Sequence, residues 1–406
     1  MINKKKTEYT FKYNKNIGRH GWLRLTPAYS VKLVQELIGE TPVGSLILDP
    51  FSGTATTGLC SAEQGYNSIL CDINPFLVWF GNTKLSSFSD DDICKLNDIN
   101  IKILELFYSL KKEIHWCPPI HNINRWWSED TLITLSSLRY AIVELIGEPS
   151  DDNIHSLIWI AFCRLAIETS SAAFNHVSMS FSEEAKSHSE DFVLSLYSEI
   201  FNLIKNTANQ QFNNNSKVIL CDSRNLNFND ELKFNHVITS PPYPNRMSYI
   251  RELRPYMYWT KFLDKPIEAA ELDWKAIGGT WGSATSKLKD WNPSNLEIPE
   301  SLMDICDQIL NKDDKNSELM SRYVHKYFYD MHSHFKNIRD YLSSNAKIDY
   351  IVGNSSFYGV KVPSDKIFEE SLTLLGFENI SSKIIRKRNS NKELYEYCVS
   401  GTYIGN

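Results

Sequence analysis

The feature that most constrains the fold of this chain is a set of short apolar runs, most of which end in a polar residue. The runs span Ser45–Asp49, Asn67–Asp72, Lys217–Asp222, Asn235–Ser240 and Lys347–Gly353. Each has the length and composition of a buried parallel strand, and several are followed by a stretch with helical periodicity. Strands that alternate with helices predict a doubly wound α/β sheet with right-handed crossovers. Because ligands of such sheets bind beyond the carboxyl ends of the strands, the polar residues at those ends are candidate site residues.

Two further patterns complete the predicted architecture. Segments from Ile380 to Ile385 and from Leu394 to Tyr403 are expected to close the sheet as a β-hairpin that turns at Asn389–Asn391. Between about residues 90 and 209 the periodicity is mostly helical, which predicts a large helical insertion.

Composition narrows the class of protein. The chain has 406 residues and ordinary globular composition. Its formal net charge of −6 argues against a protein that coats nucleic acid with a uniformly basic surface, but it allows a local basic groove. Its eight cysteines form no C-x-x-C pair, so we expect a reduced, cytoplasmic protein. Its ten histidines form no H-x-x-x-H pair or other metal triad, so we expect no metal site. No apolar run approaches the roughly 20 residues of a membrane span, and the basic start continues into polar sequence unlike a signal peptide.

The first strand leads into a turn of small residues, from Asp49 to Gly58, and then into a helix. Small residues let the backbone approach a ligand closely, and the N–H groups at a helix start attract a carboxylate or phosphate. Asp72 ends the next strand, near the spacing at which an acid meets ribose hydroxyls in nucleotide-binding units. A ligand-free strand-to-helix turn is the alternative, but the turn and the acid together favour an adenosine-type cofactor. The turn is neither a Walker loop nor a G-x-G-x-x-G turn.

The second motif is Thr239-Ser240-Pro241-Pro242-Tyr243, where two prolines and an aromatic residue cut off a buried strand. Pro242 forces Pro241 into an extended conformation, and neither proline has an N–H to donate. The backbone carbonyls and the Ser240 hydroxyl can accept hydrogen bonds from an exocyclic amino group while Tyr243 stacks on the base. The alternative is an ordinary Pro-Pro turn capped by a tyrosine.

Together the two motifs resemble those of amino-group DNA methyltransferases. The Thr-Ser-Pro-Pro-Tyr form is typical of the N4-cytosine branch, whereas the N6-adenine branch more often has Asp or Asn before Pro-Pro-Tyr. In this family the turn from Asp49 to Gly58 corresponds to the cofactor motif, and Thr239 to Tyr243 corresponds to the catalytic motif. This chain departs from the family pattern in two ways. Ala55 replaces the usual second glycine of the cofactor motif, and the cofactor motif comes first, whereas most members with Thr-Ser-Pro-Pro-Tyr have the catalytic motif first. The resemblance implies a Rossmann-like methyltransferase sheet and S-adenosylmethionine as the cofactor.

The resemblance also implies roles for individual residues. Asp72 would hold the cofactor's ribose hydroxyls, Asp222 would read its adenine, and the segment around Pro27 would close over its methionine end. The implied cofactor-binding residues are Pro27, Asp49, Phe51, Gly53, Thr54, Thr56, Asp72, Asn74 and Asp222. The implied catalytic residues are Ser240, Pro241, Pro242 and Tyr243. The chemistry, a direct transfer of methyl to an amine, needs neither a metal nor a covalent cysteine intermediate.

The resemblance divides the chain into five segments. Residues 1–80 would form the cofactor-binding half of the core, 216–263 its catalytic half and 319–406 its C-terminal part. The segments 81–215, mostly helical, and 264–318, which contains a glycine-rich loop, are insertions and therefore candidate DNA-recognition regions.

The implied function is methylation of cytosine N4 in duplex DNA, with a restriction endonuclease as the functional partner. The target base would have to leave the duplex. Arg246, Arg251 and Arg254, which follow the catalytic motif, are candidate DNA contacts, whereas the basic cluster from Lys383 to Arg388 is expected to be solvated surface. Adenine N6 is the first alternative. Methylation of RNA or of a protein amide, and a catalytically silent DNA-binding module, are the others.

Overall fold

The computed structural model describes residues 7–25, 29–173, 180–181, 184–212, 215–279, 283–294, 297–388 and 393–405. The strands are β1 (Leu46–Asp49), β2 (Asn67–Asp72), β3 (Ala172–Ala173), β4 (Ser180–Phe181), β5 (Ser216–Leu220), β6 (Phe234–Thr239), β7 (Leu342–Gly353), β8 (Ser355–Phe357), β9 (Val360–Val362), β10 (Phe377–Lys387) and β11 (Tyr395–Tyr403). The helices are α1 (Phe11–Asn14), α2 (Val31–Ile38), α3 (Thr56–Glu63), α4 (Pro75–Leu85), α5 (Asp90–Ser109), α6 (Glu129–Ile146), α7 (Asn153–Glu168), α8 (Glu190–Ala208), α9 (Tyr249–Trp259), α10 (Pro266–Lys275), α11 (Ser283–Asp290), α12 (Glu300–Leu310), α13 (Ser317–Ile338) and α14 (Ser364–Leu374).

Seven strands form one sheet in the order β10-β11-β7-β6-β1-β2-β5. The five predicted strands are β1, β2, β5, β6 and β7, and they run parallel to one another. The strand β11 is antiparallel to both β7 and β10, so the predicted C-terminal hairpin is confirmed. Its predicted turn at 389–391 lies outside the described residues. The prediction of a doubly wound α/β sheet is therefore correct.

Alternate residues of the central strands bury into opposite faces of the sheet. Ile47 of β1 and Ile238 of β6 pack with α2 and α3 on one face. Their neighbours Leu48 and Val237 point to the other face, where the aromatic side chains of α13 and α14 cover the sheet. Because successive side chains of a strand alternate in direction, a run that is apolar throughout fits only a sheet covered on both sides.

The segment 81–215 is mostly helical, as predicted, with α5 to α8 as its main elements. Its first residues belong to α4, which begins at Pro75, so the expected boundary at residue 81 falls inside a helix. The helices of this segment share one continuous apolar core with α4 and α9. The insertion is therefore joined to the sheet domain through α4 and α9.

The junction between the insertion and α9 is a cluster of aromatic rings. The Trp259 ring, fully buried at the end of α9, makes edge contacts with Trp116, Trp127 and Phe162 at centroid distances of 5.9, 5.6 and 5.4 Å. All three partners belong to the insertion, so this cluster attaches it to the helix that directly follows the catalytic motif. Among the described residues, no helix combines the length and the apolar character that crossing a bilayer requires.

Replacing Trp259 by alanine should lower the free energy of unfolding by about 3–5 kcal/mol, because a large buried ring is lost from a packed core. Urea unfolding, monitored by the far-ultraviolet circular dichroism of the backbone rather than by tryptophan fluorescence, measures the change. Trp259→Phe should cost much less, since the indole N–H has no hydrogen-bond partner among the described residues. Phe192→Ala, at a half-exposed ring, is the matched control. Equal midpoints for Trp259→Ala and the native chain would contradict this role.

Candidate functional site

A cleft opens at the carboxyl ends of β1, β2, β5 and β6, the edge where parallel sheets bind ligands. Its empty space, open mouth included, is about 930 Å³. The predicted site residues that line it are Phe51, Gly53, Thr54, Thr56, Asp72, Asn74, Asp222, Ser240 and Pro242. Asp49, Pro241 and Tyr243 lie outside its lining, and Pro27 lies outside the described residues. The tertiary structure thus brings together the two motifs that the sequence separates by about 180 residues.

Asp49 lies fully buried beneath the turn that follows β1. One of its carboxylate oxygens accepts hydrogen bonds from the Phe51 N–H (3.0 Å) and the Thr239 hydroxyl (2.6 Å). The other accepts from the hydroxyls of Tyr29 (3.1 Å) and Thr57 (2.6 Å). Burial raises the pKa of this carboxyl, and the hydrogen bonds oppose that rise. Asp49 therefore shapes the turn from below and links it to the strand that carries the catalytic motif.

The turn itself has left-handed backbone at two positions. Gly53 has φ +50°, which glycine adopts without strain. Ala55 has φ +55° and directly precedes α3, and this conformation costs an L-residue roughly 1–2 kcal/mol. That backbone explains why a second glycine is usual here. Ala55 retains the left-handed turn, with its methyl group fully buried, so the departure from the motif leaves the geometry intact.

Asp72 faces the cleft from the end of β2. One of its oxygens accepts from the Gly53 N–H and the other from the Asn74 N–H, both at 2.9 Å. A carboxylate oxygen can accept more than one hydrogen bond, so both oxygens retain capacity for hydroxyl donors in the cleft. Burial raises the pKa of Asp72 to about 7, against the lowering effect of the backbone N–H groups. Asn74 caps α4 with its side chain, which accepts from the Phe76 N–H.

Asp222, after β5, reaches the cleft as part of an ion-pair network that the sequence did not predict. Arg224 contacts its two oxygens at 3.0 and 2.7 Å and also contacts Asp330 of α13 at 3.2 Å. The pKa of Asp222 is lowered, because the Arg224 hydrogen bonds and positive charge outweigh the effect of burial. The carboxylate is therefore ionised and held in one orientation beside the cleft. A basic residue two positions after a strand-end acid was the only sequence signal for this pair.

The predicted catalytic residues, Ser240 to Tyr243, form a sharp corner after β6, called the catalytic corner below, and hydrogen bonds from other parts of the chain hold it. The Ser240 hydroxyl donates to the Ile351 carbonyl at 3.2 Å, and the Pro242 carbonyl accepts from the Tyr327 hydroxyl at 2.7 Å. The Pro242 carbonyl was expected to be free and is engaged. Among the described residues, no donor reaches the Pro241 carbonyl, which keeps its acceptor capacity.

Sequence reasoning missed the residues that wall the cleft opposite the sheet. Tyr249, Ile250 and Leu253 of α9 line it, as does the stretch 275–277 after α10. Tyr249 also accepts a hydrogen bond from the Tyr243 N–H at 3.0 Å. The expected insertion 264–318 therefore contributes directly to the cleft. The remainder of its glycine-rich loop, residues 280–282, lies outside the described residues.

The three arginines predicted to contact DNA lie outside the cleft lining. Arg246 is exposed, with φ +60°, and its N–H donates to the Tyr323 hydroxyl. Arg251 and Arg254 lie on α9 and are half-buried, and burial lowers the pKa of both. Their contact with DNA stays a prediction.

One group among the described residues has the atoms to hold a metal ion: His20, Cys60 and Glu63, whose candidate ligand atoms lie within 4.8 Å of one another. Cys60 and Glu63 are residues of α3, and none of the three lines the cleft. Burial raises the pKa of the Cys60 thiol well above its usual range, which disfavours the thiolate that a metal ion needs. The Cys60 sulfur instead lies within hydrogen-bond distance of Nε2 of His20, at 3.8 Å.

Comparisons with known proteins agree with this geometry. A family model described as DNA methylase matches residues 3–79. The chain is 24% identical to the type II methyltransferase M.BsoBI of Geobacillus stearothermophilus, over 96% of this chain and 84% of that protein. It is 22% identical to the type II methyltransferase M.AvaI of Nostoc sp., over 95% and 85%. A shorter match to M.MjaII of Methanocaldococcus jannaschii is 38% identical but covers only 18% of this chain.

The cleft fits the cofactor that the two motifs imply. The Ser52 hydroxyl lines it and is buried without a partner among the described residues, so the cleft presents an unsatisfied polar atom to a ligand. Asp72 offers acceptors for vicinal hydroxyls, and the start of α3 presents N–H groups to a carboxylate. Apolar side chains form the remaining walls: Leu25, Ile73, Leu77, Ile250, Leu253 and Ile277.

Affinity for S-adenosylmethionine should fall as the pH drops below about 7, by up to tenfold per pH unit. The reason is that ionised Asp72 accepts hydrogen bonds from hydroxyl groups through both oxygens, whereas the protonated form loses part of that capacity. Calorimetric titration between pH 8 and pH 5.5 measures the profile. Asp72→Asn should bind more weakly and without this step. A native profile that matches that of Asp72→Asn would contradict the assignment.

Proposed function

The chain belongs to the amino-group DNA methyltransferases, and we propose that it methylates the N4 amino group of cytosine in duplex DNA. S-adenosylmethionine is the methyl donor of this family and supplies a methyl group bound to a positively charged sulfur. The observation that carries the proposal is the placement of Ser240 at the end of β6. There its side chain lines the same cleft as the strand-end acids Asp72 and Asp222.

The cofactor-binding half of the cleft would hold the donor through groups already described. Asp72 would accept hydrogen bonds from the ribose hydroxyls, and the N-terminus of α3 would face the carboxylate. Asp222, kept ionised and oriented by Arg224, would accept from the adenine amino group. These contacts would fix the position of the reactive methyl group relative to Ser240. Positioning two reacting groups in this way can lower the activation barrier by about 7–11 kcal/mol.

The catalytic corner supports an amine as the acceptor of the methyl group. The Ser240 hydroxyl donates its proton to the Ile351 carbonyl, so its oxygen presents lone pairs to a donor in the cleft. The Pro241 carbonyl is a second acceptor, held in place by the rigid proline backbone. Two acceptors beside the NH₂ of a base would draw its hydrogens out of the ring plane and localise the nitrogen lone pair. That change would make the amino group a better nucleophile.

Duplex DNA is the proposed substrate, and its target base would flip out of the helix at a cost of a few kcal/mol. Stacking on Tyr243 would offset about 1–3 kcal/mol of that cost. Arg246, Arg251 and Arg254, on and before α9, would contact the DNA next to the site. The names of the relatives, all type II methyltransferases, support a cytoplasmic role beside a restriction endonuclease that cuts the same sequence.

Nucleoside mass spectrometry tests the proposal. The purified chain is incubated with S-adenosylmethionine and unmethylated plasmid DNA, and the digested nucleosides are compared with those of an untreated sample. N4-methyl-2′-deoxycytidine is the expected product. N6-methyl-2′-deoxyadenosine would instead assign the enzyme to the adenine branch, and methyl groups only on added RNA or protein would overturn the proposal.

Tyr243→Ala should lose most of the methyl transfer while retaining affinity for S-adenosylmethionine, because Tyr243 lies outside the lining of the cleft. Labelled-methyl counts on DNA measure transfer, and calorimetry measures binding. Tyr13→Ala, at an exposed tyrosine outside both insertions and outside the cleft lining, is the control and should change neither. An equal loss of cofactor affinity in Tyr243→Ala would contradict this division of roles.

A further inference from the structure

The C-terminal hairpin reaches the catalytic corner and holds its tyrosine. We propose that Glu396 of β11 is a positioning residue for methyl transfer, which acts through the hydroxyl of Tyr243 and never touches the substrate. The inference rests on the proposed function and deepens it, because it adds to that site a residue outside both motifs.

The contact itself is a charged hydrogen bond inside the protein. The Tyr243 hydroxyl donates to Oε1 of Glu396 at 2.8 Å, across 153 positions of sequence. Glu396 is only 5% exposed. A hydrogen bond from a buried hydroxyl to a carboxylate is stronger than one between neutral groups and is shielded here from competing water. It therefore restricts the orientation of the tyrosine ring more tightly than packing alone.

The carboxylate of Glu396 is fixed in turn by Arg386 of β10. The guanidinium donates to both carboxylate oxygens, at 2.7 and 3.1 Å, in the two-pronged geometry that matches arginine to carboxylate. The two residues are cross-strand partners in the hairpin. A buried carboxylate without such a partner would be costly, so the pair gives Glu396 both charge compensation and a single orientation.

Arg388 and Gly353 complete the support of the ring. The Arg388 guanidinium carbon lies 5.0 Å from the Tyr243 ring centroid, and its Nη1 donates to the Asn354 carbonyl at 2.9 Å. Gly353, at the end of β7, lies directly against both. A Cβ at this position would overlap Nη1 of Arg388 and would lie 2.8 Å from Cδ2 of Tyr243. The tyrosine is therefore enclosed by the hairpin, its hydroxyl and its ring held by different residues.

Tyr243 connects this support to the reacting side of the corner. Burial raises the pKa of its hydroxyl well above the usual value, and the charge of Glu396 adds to the rise. The hydroxyl is thus protonated at any working pH and stays a donor to Glu396. Only Pro241 and Pro242 separate Tyr243 from Ser240, and their rigid backbone couples the two positions. An error in the tyrosine position would therefore also reach the serine that would accept from the target amine.

The basic cluster from Lys383 to Arg388 was expected to be solvated surface, and the structure divides it. Lys383 is exposed, as expected. Arg386 and Arg388 instead turn inward and contact Glu396 and Tyr243. The two arginines are two residues apart near the end of β10, so both can face the catalytic edge of the hairpin.

A double-mutant cycle tests the inference, using Glu396→Gln, Tyr243→Phe and the two combined. The rates of labelled methyl transfer to unmethylated plasmid DNA give kcat and the KM for DNA, and calorimetry gives the affinity for S-adenosylmethionine. Glu396→Gln should lower kcat about ten- to a hundredfold, the range for small misplacements of reacting groups, with cofactor affinity within twofold of native. Tyr243→Phe should lower kcat similarly. The combined variant should be no slower than the slower single variant, because both substitutions break one link.

Glu378→Gln is the matched control. Glu378 is an exposed carboxylate at the opposite end of the same hairpin, so kcat should stay native. Native kcat in Glu396→Gln, or effects of the two substitutions that multiply, would overturn the inference. Should Glu396→Gln fail to fold, Tyr243→Phe still decides, since it leaves the Glu396–Arg386 pair intact, and a native kcat for it overturns the proposal. Failure of the native chain to bind the cofactor or methylate DNA would instead refute the proposed function.

Discussion

The hydrogen bonds of one buried carboxylate join the two halves of the site. Asp49 accepts from the backbone of the cofactor turn at Phe51 and, through the same oxygen, from Thr239, the residue before Ser240. Its other oxygen accepts from Thr57 at the start of α3. Leaving a buried carboxylate with any of these donors missing would be costly, so the turn, the helix and the catalytic strand have one mutual arrangement. The distance between the cofactor and the catalytic corner depends on that arrangement.

The catalytic corner depends on support from the far end of the chain. Its serine donates to β7, its second proline accepts from α13 and its tyrosine donates to β11. These partners come from three separate elements that follow the second insertion. Proline supplies the local stiffness of the corner, but its orientation relative to the cleft comes from these long-range hydrogen bonds. A preorganised arrangement of this kind avoids the cost of ordering the corner when the substrate binds.

The two insertions take part in the architecture of the site as well as extending it. The helical insertion joins α9 through the rings around Trp259, and α9 in turn supplies Tyr249, Ile250 and Leu253 to the wall of the cleft. The second insertion contributes the stretch 275–277 to the same wall. Of the two candidate recognition regions, the helical insertion therefore supports the wall of the cleft through α9, and the second insertion forms part of that wall.

The sequence by itself determined the sheet, its strands and the two motifs, because apolar periodicity, proline and small-residue turns act over a few neighbouring residues. It identified Asp72, Asp222 and Ser240 as residues at strand ends, and the structure places all three around one cleft. Only the tertiary structure decided that Asp49 lies beneath the turn, that Arg224 holds Asp222 and that Glu396 and Arg386 hold Tyr243. These contacts join residues brought together by strand order and burial, and a hydrogen bond between distant residues leaves no periodic trace in the chain. The physical reason is that local conformation depends on neighbouring residues, whereas the direction and charge of a buried side chain depend on every element packed around it.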